Sequence, residues 1–248
     1  MQTETRIVYD IRNEGRAILI DCGEGTQIQI MKLGWGFRCI EAVLLTHYHA
    51  DHCSGLPGFL LAQAKAGRTE PLPVWGPVGL GRIMDGLRVI CPQLPYCVEL
   101  HEIAGEESFE AAGLQVQAFP LQHRISCLGY AFVRNRRPTF LPEVARSLGI
   151  PVTEWKVLQQ GQPVVVQGRL VEPDVVMGPL RSGLSFLYAT DTRPTETIVR
   201  YGQGTDLMIL DGTYGQADKQ PSRSTQSGII TCCTVKQLDL QHRQVLEP

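Results

Sequence analysis

Several things are missing from this chain, and each absence narrows what it can be. No apolar stretch approaches the roughly 20 residues that a membrane span needs, so no bilayer segment is expected. No apolar leader opens the N-terminus. The eight cysteines, Cys22, Cys39, Cys53, Cys91, Cys97, Cys127, Cys232 and Cys233, form neither a CxxC pair nor an even framework. Both features argue for reduced thiols in a cytoplasmic protein rather than a disulfide-stapled secreted one. Charge of one sign is also scarce: 23 Lys and Arg stand against 25 Asp and Glu, a net charge of −2 with a pI near 6.3. A nucleic-acid partner must then be gripped by local basic patches and metals, because no overall positive field exists. Histidine is sparse as well, with six in 248 residues.

Three of those six stand together. His47-Tyr48-His49-Ala50-Asp51-His52 puts three imidazoles and a carboxylate at the end of the apolar run Glu41-Ala42-Val43-Leu44-Leu45-Thr46. Neutral imidazole and carboxylate suit Zn²⁺ and similar divalent ions. In an extended chain residues i and i+2 share a face, so His47 and His49 can reach one metal. Asp51 and His52, past the strand end, can turn toward a second. Any one of these histidines alone would read as an ordinary surface or core residue; three with an aspartate at this spacing argue for a two-metal site.

The remainder of the chain, 43% hydrophobic and 19% charged, is ordinary globular sequence, long enough for a substantial core. Strand-like runs from Thr5 to Ile11 and Arg16 to Asp21 lead into a turn, Cys22-Gly23-Glu24-Gly25. A helix is expected from Thr26 to Leu33, with Thr26 as its N-cap, and a buried helix from Leu56 to Ala66. Strands are expected over Pro71 to Trp75, Val98 to Ile103, Leu114 to Pro120 and Leu184 to Thr190, with a helix over Leu80 to Val89. Interleaved strands and helices imply an α/β layered fold. Residues 134–182, opened by Arg134-Asn135-Arg136-Arg137-Pro138, are rich in Pro, Gly and short polar turns and read as an arm-like excursion from one domain spanning 1–248.

Two metals need more ligands than one cluster holds. His123, between the strand ending near Pro120 and the apolar run from Cys127, lies where a ligand loop would lie. Asp191 ends a second apolar strand and can bridge two metals through its two oxygens, the alternative being a helix cap or turn residue. Asp21, ending the strand before the glycine turn, is either an outer group orienting a metal histidine or a plain turn aspartate. His101 reads as an exposed strand residue.

These strings resemble the ribonuclease Z family of metallo-β-lactamase-fold hydrolases over about residues 16–215. The resemblance is carried by Leu19-Ile20-Asp21-Cys22-Gly23-Glu24-Gly25-Thr26-Gln27, by Thr46 through His52 with Ser54-Gly55-Leu56-Pro57-Gly58, by His123 with Gly129-Tyr130, and by Gly178-Pro179 leading to Thr190-Asp191-Thr192-Arg193-Pro194. It implies a metallo-β-lactamase-like αββα sandwich and a zinc-dependent endoribonuclease hydrolysing a phosphodiester bond at the 3′ side of precursor tRNA, working as a homodimer. Two Zn²⁺ per chain are implied, with Mn²⁺ or another divalent ion as an alternative. His47, His49 and His123 would hold one, Asp51 and His52 the other, and Asp191 would bridge them. Asp51 would also accept the proton of the attacking water. Paired metals can acidify a water and stabilise the leaving oxygen of an in-line displacement, which agrees with this chemistry.

The chain also departs from the family pattern. The opening strand and Leu-Gly-Thr-Gly type turn are not present before Asp21, so the first strand is expected to be missing and a sheet edge exposed. Gly149-Ile150-Pro151-Val152-Thr153-Glu154-Trp155 stands where many relatives carry a Pro-Pro-Gly-Pro type segment in the arm. Arg134, Arg136 and Arg137 can meet phosphates or lie on a solvated turn. After Tyr214-Gly215 the pattern diverges, with Gln220 at an auxiliary histidine position. Val235 through His242 keeps the pattern of the family's last strand, which makes His242 the expected final ligand of the second metal. Asp211 falls where relatives have a glutamate supporting proton delivery to the leaving group. The competing expectations are a small-molecule phosphodiesterase or other hydrolase of the same fold, and an inactive truncated relative.

Overall fold

A computed structural model describes residues 9–136, 138–179 and 181–210. The chain divides into two compact units, one running to Arg134 and resuming at Ser185, the other covering Asn135–Leu184.

In the first unit, β1 (Tyr9–Asn13) and β2 (Arg16–Ile20) form a hairpin whose turn residues, Glu14 at φ 52° and Gly15 at φ 83°, supply the left-handed pair that a two-residue hairpin loop favours. Then α1 (Thr26–Lys32), β3 (Ile40–Leu44), α2 (Ala50–Cys53), α3 (Leu56–Lys65), β4 (Leu72–Pro77), α4 (Leu80–Arg88) and β5 (Val98–Ile103) alternate. The sheet order is β1-β2-β3-β4-β5, and β2 through β5 run parallel. The apolar run Ala42–Leu45, which opens inside β3, follows from burial on both faces: Ala42 and Leu44 belong to one core cluster, Val43 and Leu45 to another.

A second sheet begins with β6 (Glu107–Ala111), β7 (Leu114–Leu121) and β8 (Cys127–Arg136), an antiparallel meander. The second unit follows, with α5 (Pro142–Ser147), α6 (Val152–Gln159) and a hairpin of β9 (Val164–Val166) and β10 (Arg169–Val171). The chain then returns through β11 (Arg181–Ala189), α7 (Glu196–Gly202) and β12 (Leu207–Leu210), giving the sheet order β12-β11-β8-β7-β6.

The two sheets meet through Ile18, Ile20 and Leu44 on one side and Val116, Tyr130, Phe132, Phe186 and Tyr188 on the other. Phe132 and Phe186 stack there with centroids 4.3 Å apart. Burying each such side chain contributes about 1.5–3 kcal/mol, so this seam is the main apolar bond between the layers. On the outer face of the first sheet Leu56, Phe59, Leu60, Leu80 and Met84 of α3 and α4 pack on Leu19, Val43 and Val74. On that of the second, Ile198 of α7 packs with Phe119 and Leu187. The result is the expected αββα sandwich.

Local expectations differ from the structure in three places. The cap of α1 is Gly25, at φ 80°; Thr26 is the first helical residue and its hydroxyl donates instead to the Gly23 carbonyl at 2.8 Å. A left-handed cap residue favours glycine over threonine. Residues 134–182, read as an excursion rich in turns, hold two helices: Pro142 is the first residue of α5, where proline's fixed φ suits the helix, and Pro151 is the extended cap residue before α6. These helices and the hairpin bury Ala145, Leu158, Val164 and Val176 together. β6, α7 and β12 were not foreseen at all. The expected loss of a first strand falls on residues 1–8, outside the described residues; among those described, β1 and β5 are the edges of the first sheet.

Candidate metal centre

The cluster is built where strands end. Asp21 directly follows β2, His47 to His52 follow β3, His123 lies between β7 and β8, and Asp191 directly follows β11. Two hydrogen bonds join the sheets at this rim: Leu128 N–H to the Thr46 carbonyl at 2.9 Å, and the Tyr130 hydroxyl to the Leu45 carbonyl at 2.7 Å. Both aspartates sit in the left-handed region, Asp21 at φ 58° and Asp191 at φ 50°. Such backbones are sparsely populated outside glycine and concentrate where surrounding structure has a use for them.

β3 ends at Leu44, earlier than the apolar run suggests, and the chain runs on without strand pairing through His49, which is still extended at φ −71°, ψ 151°. His47 and His49 therefore come together past the strand end and not within the sheet. The one-turn helix α2 carries Asp51 and His52. The glycine turn is pressed against it: Cys22 N–H donates to the His52 carbonyl at 2.7 Å and Gly55 N–H to the Cys22 carbonyl at 2.8 Å. A Cβ on Gly23 would lie 2.1 Å from the Asp51 carbonyl oxygen, so this approach requires glycine.

His49 Nδ1 lies 3.0 Å from His47 Nε2 and 3.2 Å from His123 Nε2. Beside this trio, His52 Nε2 lies 3.0 Å from Asp191 Oδ2 and 3.5 Å from Asp51 Oδ2. Two groups of ligand atoms result, His47 with His49 and His123, and His47 with His52 and Asp191. Behind them, Asp21 accepts from His52 Nδ1 at 2.8 Å and from the Thr46 amide at 2.8 Å, and the Thr46 hydroxyl lies 3.0 Å from His47 Nδ1. His47 is pushed down to about 3, chiefly by burial and then by the neighbouring His52. His123 is also lowered, again by burial first. Both are therefore neutral near pH 7, the form in which imidazole ligates a metal. For His52, burial opposes the charge, but hydrogen bonds to Asp191 and Asp21 outweigh it and raise it to about 10. The ring nitrogens of His47, His49 and His123 converge within 4.8 Å of one another, a donor set that fits a divalent cation.

The structure thus gathers His47, His49, His52, His123, Asp191 and Asp21. Asp51 is at the rim, its side chain 74% exposed. Asp211 and His242 lie outside the described residues. His101, exposed on β5, stacks on Trp75 at 4.7 Å, well apart in role from the cluster. Two neighbours were missed in the sequence. Thr46 ends the apolar run and is fully buried; a hydroxyl directly before the first histidine was the available signal. Tyr48, between two histidines, donates its hydroxyl to the Pro77 carbonyl and so ties the loop to the end of β4.

The Beta-lactamase superfamily domain matches residues 16–178. Ribonuclease Z of Lachnoclostridium phytofermentans is 42% identical over 210 residues, covering 84% of this chain and 69% of that protein. Ribonuclease Z of Clostridium acetobutylicum is 37% identical over 247 residues, covering 94% and 80%. Among solved structures, the short form of human tRNase Z superposes with a TM-score of 0.63 at 22% identity, covering 92% of this chain and 79% of that one, a likeness of fold.

Proposed function

The chain belongs to the ribonuclease Z family of the beta-lactamase superfamily, and from that membership we propose that it is the metal-dependent endoribonuclease that hydrolyses a phosphodiester bond at the 3′ side of precursor tRNA. The observation that carries this reading is the convergence of His47, His49 and His123 beside the His52–Asp191 pair. The proposed occupants are two Zn²⁺, with Mn²⁺ as an alternative. His47, His49 and His123 would hold one, Asp51 and His52 the other, with Asp191 available to both, and His242 would complete the second. When bound, such ions polarise the phosphoryl oxygen and lower the pKa of water.

The chain's own groups do the rest. Asp51, exposed at the rim, is placed to meet solvent and substrate and accepts the proton of the attacking water. Asp21, reaching both His52 and the Thr46 amide, holds the ring of His52 so that Nε2 faces inward. Asp211 is proposed to support proton delivery to the leaving oxygen. The protein is proposed to act as a cytoplasmic homodimer, a single domain whose excursion at about 134–182 meets the tRNA.

The decisive experiment loads the chain with zinc and supplies a 3′-extended precursor tRNA beside an active ribonuclease Z. Cleavage at the 3′ side is expected, and Asp51→Ala should reduce it about 10²–10⁴-fold, the usual range for a positioned acid or base. No cleavage by the zinc-loaded chain, while its relative cuts in the same tube, would sink the reading.

A further inference from the structure

We propose that Thr46 is a positioning residue that selects the tautomer of His47, so that His47 presents an unprotonated Nε2 to its ligand group; this rests on the metal reading above. The Thr46 hydroxyl oxygen lies 3.0 Å from Asp21 Oδ1, 2.9 Å from Asp21 Oδ2 and 3.0 Å from His47 Nδ1. Oδ1 already accepts the Thr46 amide at 2.8 Å and Oδ2 already accepts from His52 Nδ1 at 2.8 Å. A carboxylate has no proton to give, so the hydrogen between it and the hydroxyl must be the threonine's own. That leaves the hydroxyl only lone pairs to offer His47. Nδ1 must then carry the ring proton, and a neutral imidazole carries one proton, so Nε2 is left bare.

The direction of that nitrogen gives the choice its consequence. His47 Nε2 is 3.0 Å from His49 Nδ1, and it contributes to both ligand groups. The opposite tautomer would place a hydrogen where the cation must go. Asp21 orients His52 directly, but it reaches the ring of His47 only through Thr46. One buried carboxylate thereby sets two histidines, one of them by way of a hydroxyl.

The test uses the full chain and zinc alone. Thr46→Val keeps the shape of the side chain and removes the hydroxyl, whereas Thr46→Ser keeps the hydroxyl. Zinc affinity, measured by competition with a chelator, is expected to fall about 10–100-fold in Thr46→Val and to return to within a few-fold of wild type in Thr46→Ser, the scale at which an outer partner of a ligating histidine acts. Nitrogen chemical shifts of the zinc-free protein should report His47 as the Nδ1–H form in wild type and Thr46→Ser, and as a mixture in Thr46→Val. Wild-type zinc binding with unchanged affinity in Thr46→Val would overturn the role of Thr46 alone, as would an Nε2–H form in the wild type. Failure of the wild type to bind zinc would overturn the metal reading itself and the role with it. If Thr46→Val does not fold by circular dichroism, the wild-type tautomer still decides.

Discussion

Gly55→Ala sets two effects of opposite sign against each other. Gly55 caps α3 with ordinary right-handed angles, φ −79° and ψ −11°, so by backbone entropy alone alanine should stabilise the chain by about 0.4–1 kcal/mol. Space decides otherwise. A Cβ would stand 1.8 Å from the Gly23 carbonyl oxygen, and since real Cβ contacts essentially never fall under 3.0 Å, backbone must open by at least 3.0 − 1.8 = 1.2 Å. Such an opening stretches the 2.8 Å bond from Gly55 N–H to the Cys22 carbonyl beyond hydrogen-bond range and loads the 2.7 Å bond from Cys22 to His52. Overpacking costs about 1–3 kcal/mol and an unpaired buried backbone group about 1–3 more. The net expectation is a loss of about 3 kcal/mol, a fall in Tm of about 6–12 °C for a chain of this size. Zinc affinity should drop as well, because His52 rides on the same segment. Gly86→Ala is the control: Gly86 is inside α4, a Cβ there meets nothing within 4 Å, and a gain of about 0.5–1 kcal/mol is expected. Thermal unfolding of both variants with zinc titrations provides the comparison. A Gly55→Ala protein as stable as wild type, with unchanged zinc binding, would refute the clamp between glycine turn and metal loop.

Other perturbations follow from the same geometry. Tyr130→Phe removes a fully buried hydroxyl that satisfies the Leu45 carbonyl, and chemical denaturation should show a loss of about 1–3 kcal/mol. Phe132→Ala opens the seam between the sheets and should cost about 3–5 kcal/mol in the same assay. Stripping zinc with a chelator should lower the calorimetric Tm, and restoring free zinc to 100 times its dissociation constant should return about 2.7 kcal/mol; an indifferent Tm would speak against a metal held by the folded state. Filter binding of precursor tRNA should weaken steeply with salt, because phosphate contacts release counterions. Hydrolysis of bis-p-nitrophenyl phosphate without salt-sensitive tRNA binding would favour a small-molecule phosphodiesterase instead, the reading to which the net charge of −2 lends weight.

What the amino-acid order determined by itself was local. His47, His49, Asp51 and His52 lie within six residues, so their chemistry could be read without knowing the fold, and the doubly buried end of β3 showed in the apolar run Ala42–Leu45. Val98–Ile103 came out as expected, because a strand's extent follows from residue type and flanking turns. The short strands β6 and β12 and the helix α7 did not. β12 is only half-buried and is held by parallel pairing with β11, a partner its own four residues do not specify. His123 reaches His49 across 74 positions, and Asp191 reaches His52 only because β11 ends at the same rim as β3. Apolar pattern tells a segment which face to bury but not against which other segment. The sharing of Asp21 between His52 and Thr46 was therefore decided by the parallel pairing of β2 with β3, and that of His47 between two ligand groups only when the second sheet brought His123 and Asp191 to the same place.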